Sequence, residues 1–245
     1  MFQRRKSKQI QIGPVKIGGD APVSIQSMTN TDTRDAAATL AQIRELASAG
    51  CEIVRVTVPD EAAVAALPEI LAGSPLPVIA DIHFDYRLAL GSIRAGVHGV
   101  RLNPGNIGSA EKVRAVAEAA GEAGIPIRVG ANSGSLPKGM AAANRAAGMS
   151  HDEAIAHALT DAAMEQVKLL EQYSFRNLKV SLKASSVPVT VAAYRLFAER
   201  SDYPLHLGVT EAGTAFRGAV KSAIGIGSLL LDGIGDTIRV SLSAP

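Results

Sequence analysis

Four basic side chains in this sequence sit where charge is costly. Arg55 interrupts Ile53-Val54-Arg55-Val56, Arg101 follows Gly99-Val100, Arg128 divides Ile127 from Val129, and Lys183 closes Lys179-Val180-Ser181-Leu182-Lys183. These are short β-branched or alternating runs, the pattern of strands whose successive side chains point to opposite faces. If the apolar partners face a helix layer, the cations face inward. A cation held inside must be paired or must meet a ligand. Several cations converging on one mouth match the chemistry of a phosphate or diphosphate, because guanidinium forks bind such oxygens two at a time. The competing reading pairs them internally with Asp81, Glu52 and Glu211.

Other polar groups share these faces. Asn103 stands two residues beyond Arg101, Ser241 two beyond Arg239, and His83 two beyond Asp81. The stretches Asn103-Pro104-Gly105-Asn106 and Gly130-Ala131-Asn132-Ser133-Gly134-Ser135 are rich in small residues whose backbone N–H groups can approach an anion. Turns use the same residues, so these loops alone do not define a site. Glu211, in Val209-Thr210-Glu211-Ala212-Gly213, is a candidate proton donor; cations nearby would depress its pKa unless burial or a bound anion offset them. His83 is open to two roles, orientation by Asp81 or acid–base chemistry. No Walker A sequence and no G-x-G-x-x-G follows a strand, so nucleotide binding is not supported. His98, His151, His157 and His206 form no metal-ligand pattern, and Cys51 reads as a small buried residue.

The elements that must position these groups alternate. Strand-like runs occur at 22–27, 52–58, 77–82, 98–102, 126–129, 178–182, 205–209 and 237–242. Helical patterns lie between them. Asp35 to Ser48 carries Leu40, Ile43 and Ala47 on one face; Asp85 and Ser109 can cap helices running to Gly96 and Gly124. Ser150-His151-Asp152-Glu153 is a capping box, and Pro68 is expected to break the helix after the second strand. Eight β/α units imply an α/β fold, a (β/α)8 TIM barrel occupying 21–245, whose active site lies at the C-terminal ends of the strands. Residues 1–20 read as an N-terminal arm and a hairpin around Gly13-Pro14 that plugs the other end. After the eighth strand only Ser243, Ala244 and Pro245 remain, so the eighth helix is expected to be lacking.

Composition bounds the function. The chain has 245 residues, 47% of them apolar, which is enough for one large core. A net charge of +2 argues against nucleic-acid or membrane-surface binding. One cysteine excludes a disulfide framework and any Cys-rich metal site built from this chain alone. The absence of a long apolar run, and of an apolar segment after the basic Arg4-Arg5-Lys6 and Lys8, points to a cytoplasmic protein with a solvated basic arm.

Longer polar runs carry a resemblance. They are Ser27-Met28-Thr29-Asn30-Thr31-Asp32-Thr33, Ile53–Pro59, Ala80-Asp81-Ile82-His83-Phe84-Asp85-Tyr86-Arg87, Arg101–Gly108, Lys179–Ser185, His206–Gly213 and Gly233–Leu242. Together they resemble the 4-hydroxy-3-methylbut-2-en-1-yl diphosphate synthase family of the methylerythritol phosphate route to isoprenoids, from about Lys8 to Ser243. The resemblance implies a TIM barrel followed by a smaller domain holding a [4Fe-4S] cluster on three Cys and one Glu. It implies reductive opening and dehydroxylation of 2-C-methyl-D-erythritol 2,4-cyclodiphosphate with electrons from ferredoxin or flavodoxin. It also implies a homodimer in which the cluster domain of one subunit covers the barrel of the other. On the matching positions, Arg55, Arg101, Arg128 and Lys183 hold the diphosphate; Asn103, Asn132 and Ser241 add polar contacts; and Glu211 protonates the departing hydroxyl. The cluster ligands are absent from this chain, and Leu136-Pro137-Lys138-Gly139-Met140 departs from the family's usual sequence. The expectation is a barrel that binds the cyclic diphosphate without turning it over. Two alternatives stay open: a non-catalytic diphosphate-binding or regulatory barrel, and a non-redox barrel enzyme acting on a phosphorylated substrate.

Overall fold

The computed structural model describes residues 3–136 and 139–242. Pro137 and Lys138 of the divergent loop, and the C-terminal 243–245, lie outside the described residues.

The chain opens with a hairpin, β1 (Ile10–Ile12) and β2 (Val15–Ile17), paired antiparallel across Gly13-Pro14. Ile10, Ile12 and Ile17 pack on Ile53 and Ile79, the first inward-facing residues of two barrel strands. The hairpin thus plugs the N-terminal mouth with apolar surface, as the sequence implied. The barrel strands are β3 (Ser24–Met28), β4 (Ile53–Thr57), β5 (Val78–Asp81), β6 (Gly99–Arg101), β7 (Ile127–Asn132), β8 (Leu178–Lys183), β9 (His206–Leu207) and β10 (Thr237–Ile238). They form one parallel sheet ordered β8-β7-β6-β5-β4-β3-β10-β9, and a Val180–Leu205 bridge brings β8 to β9 and closes the ring. The last two strands are shorter than their sequence runs. Beyond Leu207 and Ile238 the pairing continues in single backbone bonds, the Arg239 N–H donating to the Leu207 carbonyl at 3.0 Å and the Thr210 N–H to the Ala184 carbonyl at 3.2 Å.

Between the strands run α1 (Ala36–Ser48), α2 (Glu61–Gly73), α3 (Tyr86–Ala95), the short α4 (Pro104–Ile107), α5 (Ala110–Glu122), α6 (Met140–Ala146), α7 (His151–Glu171), α8 (Val187–Arg200) and α9 (Ala215–Leu231). Asp35, Asp60 and Asp85 accept N-cap bonds as their positions require, and the Ser150/Glu153 capping box forms. Ser109 occupies the N-cap of α5 without a side-chain cap bond. The expected break at Pro68 does not occur: α2 runs through it. Pro68 is exposed, so the bond lost to the Val64 carbonyl falls on the solvent side of the helix, where water can replace it.

The solvated N-terminal arm is also corrected. Asp236, buried beside β10, accepts from Arg4 Nη2 at 3.0 Å and Ser7 Oγ at 2.8 Å, and lies 3.9 Å from Arg5 Nη2. Arg5 also donates to the carbonyls of Ser201 and Tyr203. The arm is a strap across the β9–β10 seam. Among the described residues no helix follows β10. There the apolar side chains Ile25, Val240 and Leu242 on the outer face stay exposed, as do Phe216, Val220 and Ile224 of α9.

Candidate functional site

Strand register decides how deep each cation sits. Asp81 pairs with Arg101, Arg101 with Arg128, and Arg128 with Lys179, one row across β5 to β8. Barrel strands tilt, so such a row slants from the mouth toward the interior. Asp81 and Arg101 therefore end their strands, Arg128 lies second in its strand, and Lys179 is fully enclosed. Lys183, one turn of alternation above Ser181, returns to the mouth opposite Asn132.

These side chains line one cavity of about 230 Å³ at the C-terminal mouth, walled by Met28, Arg55, Asp81, His83, Arg101, Arg128, Gly130, Asn132, Ser181, Lys183, Thr210, Arg239 and Ser241. Of the ten site residues expected from sequence, eight meet here. Asn103 does not. Its Oδ1 accepts from the Gly105 N–H at 3.0 Å as the cap of α4, and it borders a neighbouring cavity of about 260 Å³ with Asn106, Leu136 and Gln166. Glu211 does not reach the wall either; it is exposed at the rim, with a left-handed backbone at φ 50. Arg239 joins the cavity although sequence reading noted only its parity with Ser241. Met28, Thr210 and Ser181 were likewise not singled out.

Five cations face one carboxylate in this cavity. Asp81 lies 3.0 Å from Arg101 Nη1 and 3.3 Å from Arg55 Nε, so it serves both. Burial pushes its carboxyl up, but Arg55, Arg101 and Arg128 together hold it below the usual range. Glu52 is turned away and accepts from the Ile25 N–H, so internal pairing accounts for two of the cations only. Arg128 donates to Ser181 Oγ at 2.8 Å, and Arg55 and Arg239 both point at Met28 Sδ, 2.8 and 3.8 Å away. Burial lowers the pKa of Arg55 to about 10, with Asp81 opposing and Arg239 and Arg101 reinforcing. Lys183 is pushed well below the ordinary lysine range by burial and then by Arg128, Arg239, Arg55 and Arg101. His83 Nε2 stands 3.9 Å from Asp81 Oδ2, too far for a hydrogen bond, so Asp81 does not orient it directly. Gly130 lets β7 and β8 approach at the cavity floor: a Cβ there would lie 2.0 Å from the Ser181 carbonyl oxygen.

A closed parallel barrel with an excess of inward cations at its C-terminal mouth defines a class, a (β/α)8 barrel with a cationic mouth. Solved structures agree on the fold: 3-dehydroquinate dehydratase from Geobacillus kaustophilus superposes with a TM-score of 0.65 at 16% identity over 99% of this chain and 90% of that one. Dihydropteroate synthase from Yersinia pestis gives 0.57 at 14% identity over 94% and 90%. Residues 7–245 match the GcpE TIM-barrel domain, and the chain belongs to that family. Its relatives include proteins named 4-hydroxy-3-methylbut-2-en-1-yl diphosphate synthase (flavodoxin). That of Maridesulfovibrio salexigens is 55% identical over 99% of this chain and 66% of its own length. That of Geobacter sulfurreducens is 57% identical over 98% and 66%, and that of Salinispora arenicola 56% identical over 100% and 61%. The chain thus spans somewhat under two thirds of the length of these relatives.

Proposed function

We propose that this barrel is the substrate-holding part of a 4-hydroxy-3-methylbut-2-en-1-yl diphosphate synthase, and that its mouth binds 2-C-methyl-D-erythritol 2,4-cyclodiphosphate. The observation that carries the reading is the charge imbalance of the cavity, five cations against Asp81. Two negative phosphoryl groups would meet Arg128, Lys183 and Arg239, which have no carboxylate partner among the described residues, while Asp81 keeps Arg55 and Arg101 in place. Asn132 and Ser241 complete the wall with polar atoms, while Asn103 lines the neighbouring cavity instead. In this reading Glu211, which lies at the rim rather than in the wall, keeps the proton-donor role that the resemblance implies for it.

The overall reaction is a two-electron reduction with loss of that hydroxyl, and it needs a redox group. The resemblance implies a [4Fe-4S] cluster, fed by ferredoxin or flavodoxin; the relatives' names specify flavodoxin. The residues of this chain do not fit such a group. Its single thiol, Cys51, lies at the N-terminal end of β4, where burial raises its pKa and its Sγ donates to the Ile53 carbonyl at 3.1 Å. No group of metal-ligating side chains occurs among the described residues. Electron delivery is therefore assigned to no residue of this chain, whose own work is binding, orientation and proton donation. Homodimer formation and a cytoplasmic location belong to the same reading. Among the described residues no helix is long and apolar enough to cross a membrane.

Titration calorimetry of the 245-residue chain with the cyclic diphosphate tests this. Binding is expected, weakened by about tenfold or more in Arg101→Ala, since that change removes a charge-assisted contact. Absence of binding, or an unaffected Arg101→Ala variant, overturns the reading. Metal-independent turnover of a phosphorylated substrate by the isolated chain would replace it with the non-redox alternative.

A further inference from the structure

Lys183 differs from the other cavity cations in having no hydrogen-bond or ion-pair partner among the described residues. Arg55 and Arg101 share Asp81, Arg128 donates to Ser181, and Arg239 approaches Met28. Lys183 is only 6% exposed, yet it has no acid partner among the described residues. What fixes its ammonium is space. The inner face running through and past β9 carries His206, Gly208 and Thr210, and a Cβ at Gly208 would lie 3.0 Å from Lys183 Nζ and 3.4 Å from its Cε. The same Cβ would lie 2.7 Å from the backbone oxygen of Arg239. Two backbone bonds lock this segment between its neighbours. The Thr210 N–H donates to the Ala184 carbonyl at 3.2 Å, and the Arg239 N–H donates to the Leu207 carbonyl at 3.0 Å. The ammonium of β8 therefore rests over a gap in the next strand, beside the backbone that presents Arg239.

We propose that Gly208 is a positioning residue for anion capture: its missing side chain is the seat of the Lys183 ammonium and lets Lys183 and Arg239 face one phosphoryl group together. The inference rests on the reading of the mouth as a diphosphate site. The gap matters because an ammonium is a point charge whose bonds to phosphoryl oxygens weaken steeply with distance and misalignment. Any side chain at position 208 must move the Lys183 head, the Arg239 strand, or both. Any β-carbon there meets the same atoms, so alanine is the mildest probe.

The test is a double-mutant cycle read with inorganic pyrophosphate on the full chain, with thermal melting to confirm folding. Gly208→Ala is expected to weaken pyrophosphate by about tenfold or more, as Lys183→Gln does. Combining Gly208→Ala with Lys183→Gln should cost clearly less than the sum of the two single losses, because both act on the Lys183 contact. A glycine that serves only strand packing would instead give independent, additive losses, and that result overturns the proposal. Should Gly208→Ala fail to fold, Lys183→Arg reads the same seat. It keeps the charge, but its wide planar head does not fit over Gly208, and it should also lose about tenfold; wild-type affinity in Lys183→Arg overturns the proposal. If wild-type protein itself ignores pyrophosphate and the cyclic diphosphate, the reading of the mouth fails and this inference falls with it. If wild type binds and Gly208→Ala binds equally, only the inference fails.

Discussion

Lys183 and Arg101 carry the same charge into the same mouth on different footings. Arg101 has Asp81; Lys183 has only burial and four neighbouring cations, and both effects drive its pKa down. The unfolded chain holds this proton up to about pH 10.4, whereas the empty folded protein gives it up earlier. Between the two values the unfolded state binds more protons, so stability rises with pH across that window, and below it the full penalty of the buried charge persists. A phosphoryl dianion reverses the balance by favouring the ammonium. Anion affinity should therefore fall as pH climbs through the lowered pKa of Lys183, and binding above that pKa should take up close to one proton. Calorimetry in buffers of different ionisation enthalpy measures the uptake, and Lys183→Gln should remove it; an uptake that survives in Lys183→Gln would assign the proton to another group. The same logic predicts that Lys183→Met weakens pyrophosphate binding by about tenfold or more yet stabilises the empty protein by about 1–3 kcal/mol, since it replaces an unpaired buried charge with an apolar chain of similar length. At that scale the melting temperature rises by several degrees, and an unchanged or lower one would sink the prediction.

At the scale of elements, the strap 3–8 shows a long-range partner deciding the fate of a charge run. Asp236 gathers Arg4, Ser7 and the Leu205 N–H, so it joins the arm to both short strands at the seam. Asp236→Asn keeps the shape but leaves half-buried guanidinium groups without their acid. A loss of about 2–4 kcal/mol is expected, at the lower end of that range if the part-exposed arginines recover water, measured by urea unfolding. A loss below about 0.5 kcal/mol would mean that the arm is held by its backbone bonds alone. Nothing local to Arg4-Arg5-Lys6 announces Asp236, some 230 residues away, and this is why a solvated arm was the natural reading. The barrel and the polar mouth were legible for the opposite reason: strand alternation is local, and a charge placed on the inner face by parity must converge with others once the sheet closes. Depth was not legible. The descent of Arg128 and Lys179 below Asp81 follows from inter-strand register, which one strand's residues do not encode. Nor could parity show that Asn103, two residues past the inward Arg101, would turn out of the wall, whereas Glu211, one residue past the inward Thr210, falls on the opposite face by the same alternation.

At the scale of the whole molecule, the interior charge of the mouth is matched by an unusual exterior. The outer face of β3 carries Ile25 in solvent, the segment after β10 carries Val240 and Leu242, and α9 adds Phe216, Val220, Ile224 and Leu231, exposed at 81%, 45%, 55% and 61%. Phe216, Val220 and Ile224 recur every fourth residue, so they form one stripe along the helix, and Leu242 packs beside it at Gly218. Apolar surface that is contiguous, rather than scattered, gains about 25 cal/mol for each Å² removed from water, and a patch of this kind rarely stays bare at high concentration. The 245-residue chain is therefore expected to self-associate through this face in sedimentation velocity, with the populations shifting over about 1–100 μM. Replacing Phe216 and Ile224 together by Glu should return it to monomer while leaving its melting temperature nearly unchanged, because both side chains are mostly in water. Pyrophosphate binding should survive that change, since neither residue lines the anion cavity. A wild-type chain that remains monomeric across the whole range would show that the stripe is too narrow, or too well hydrated, to hold a second copy.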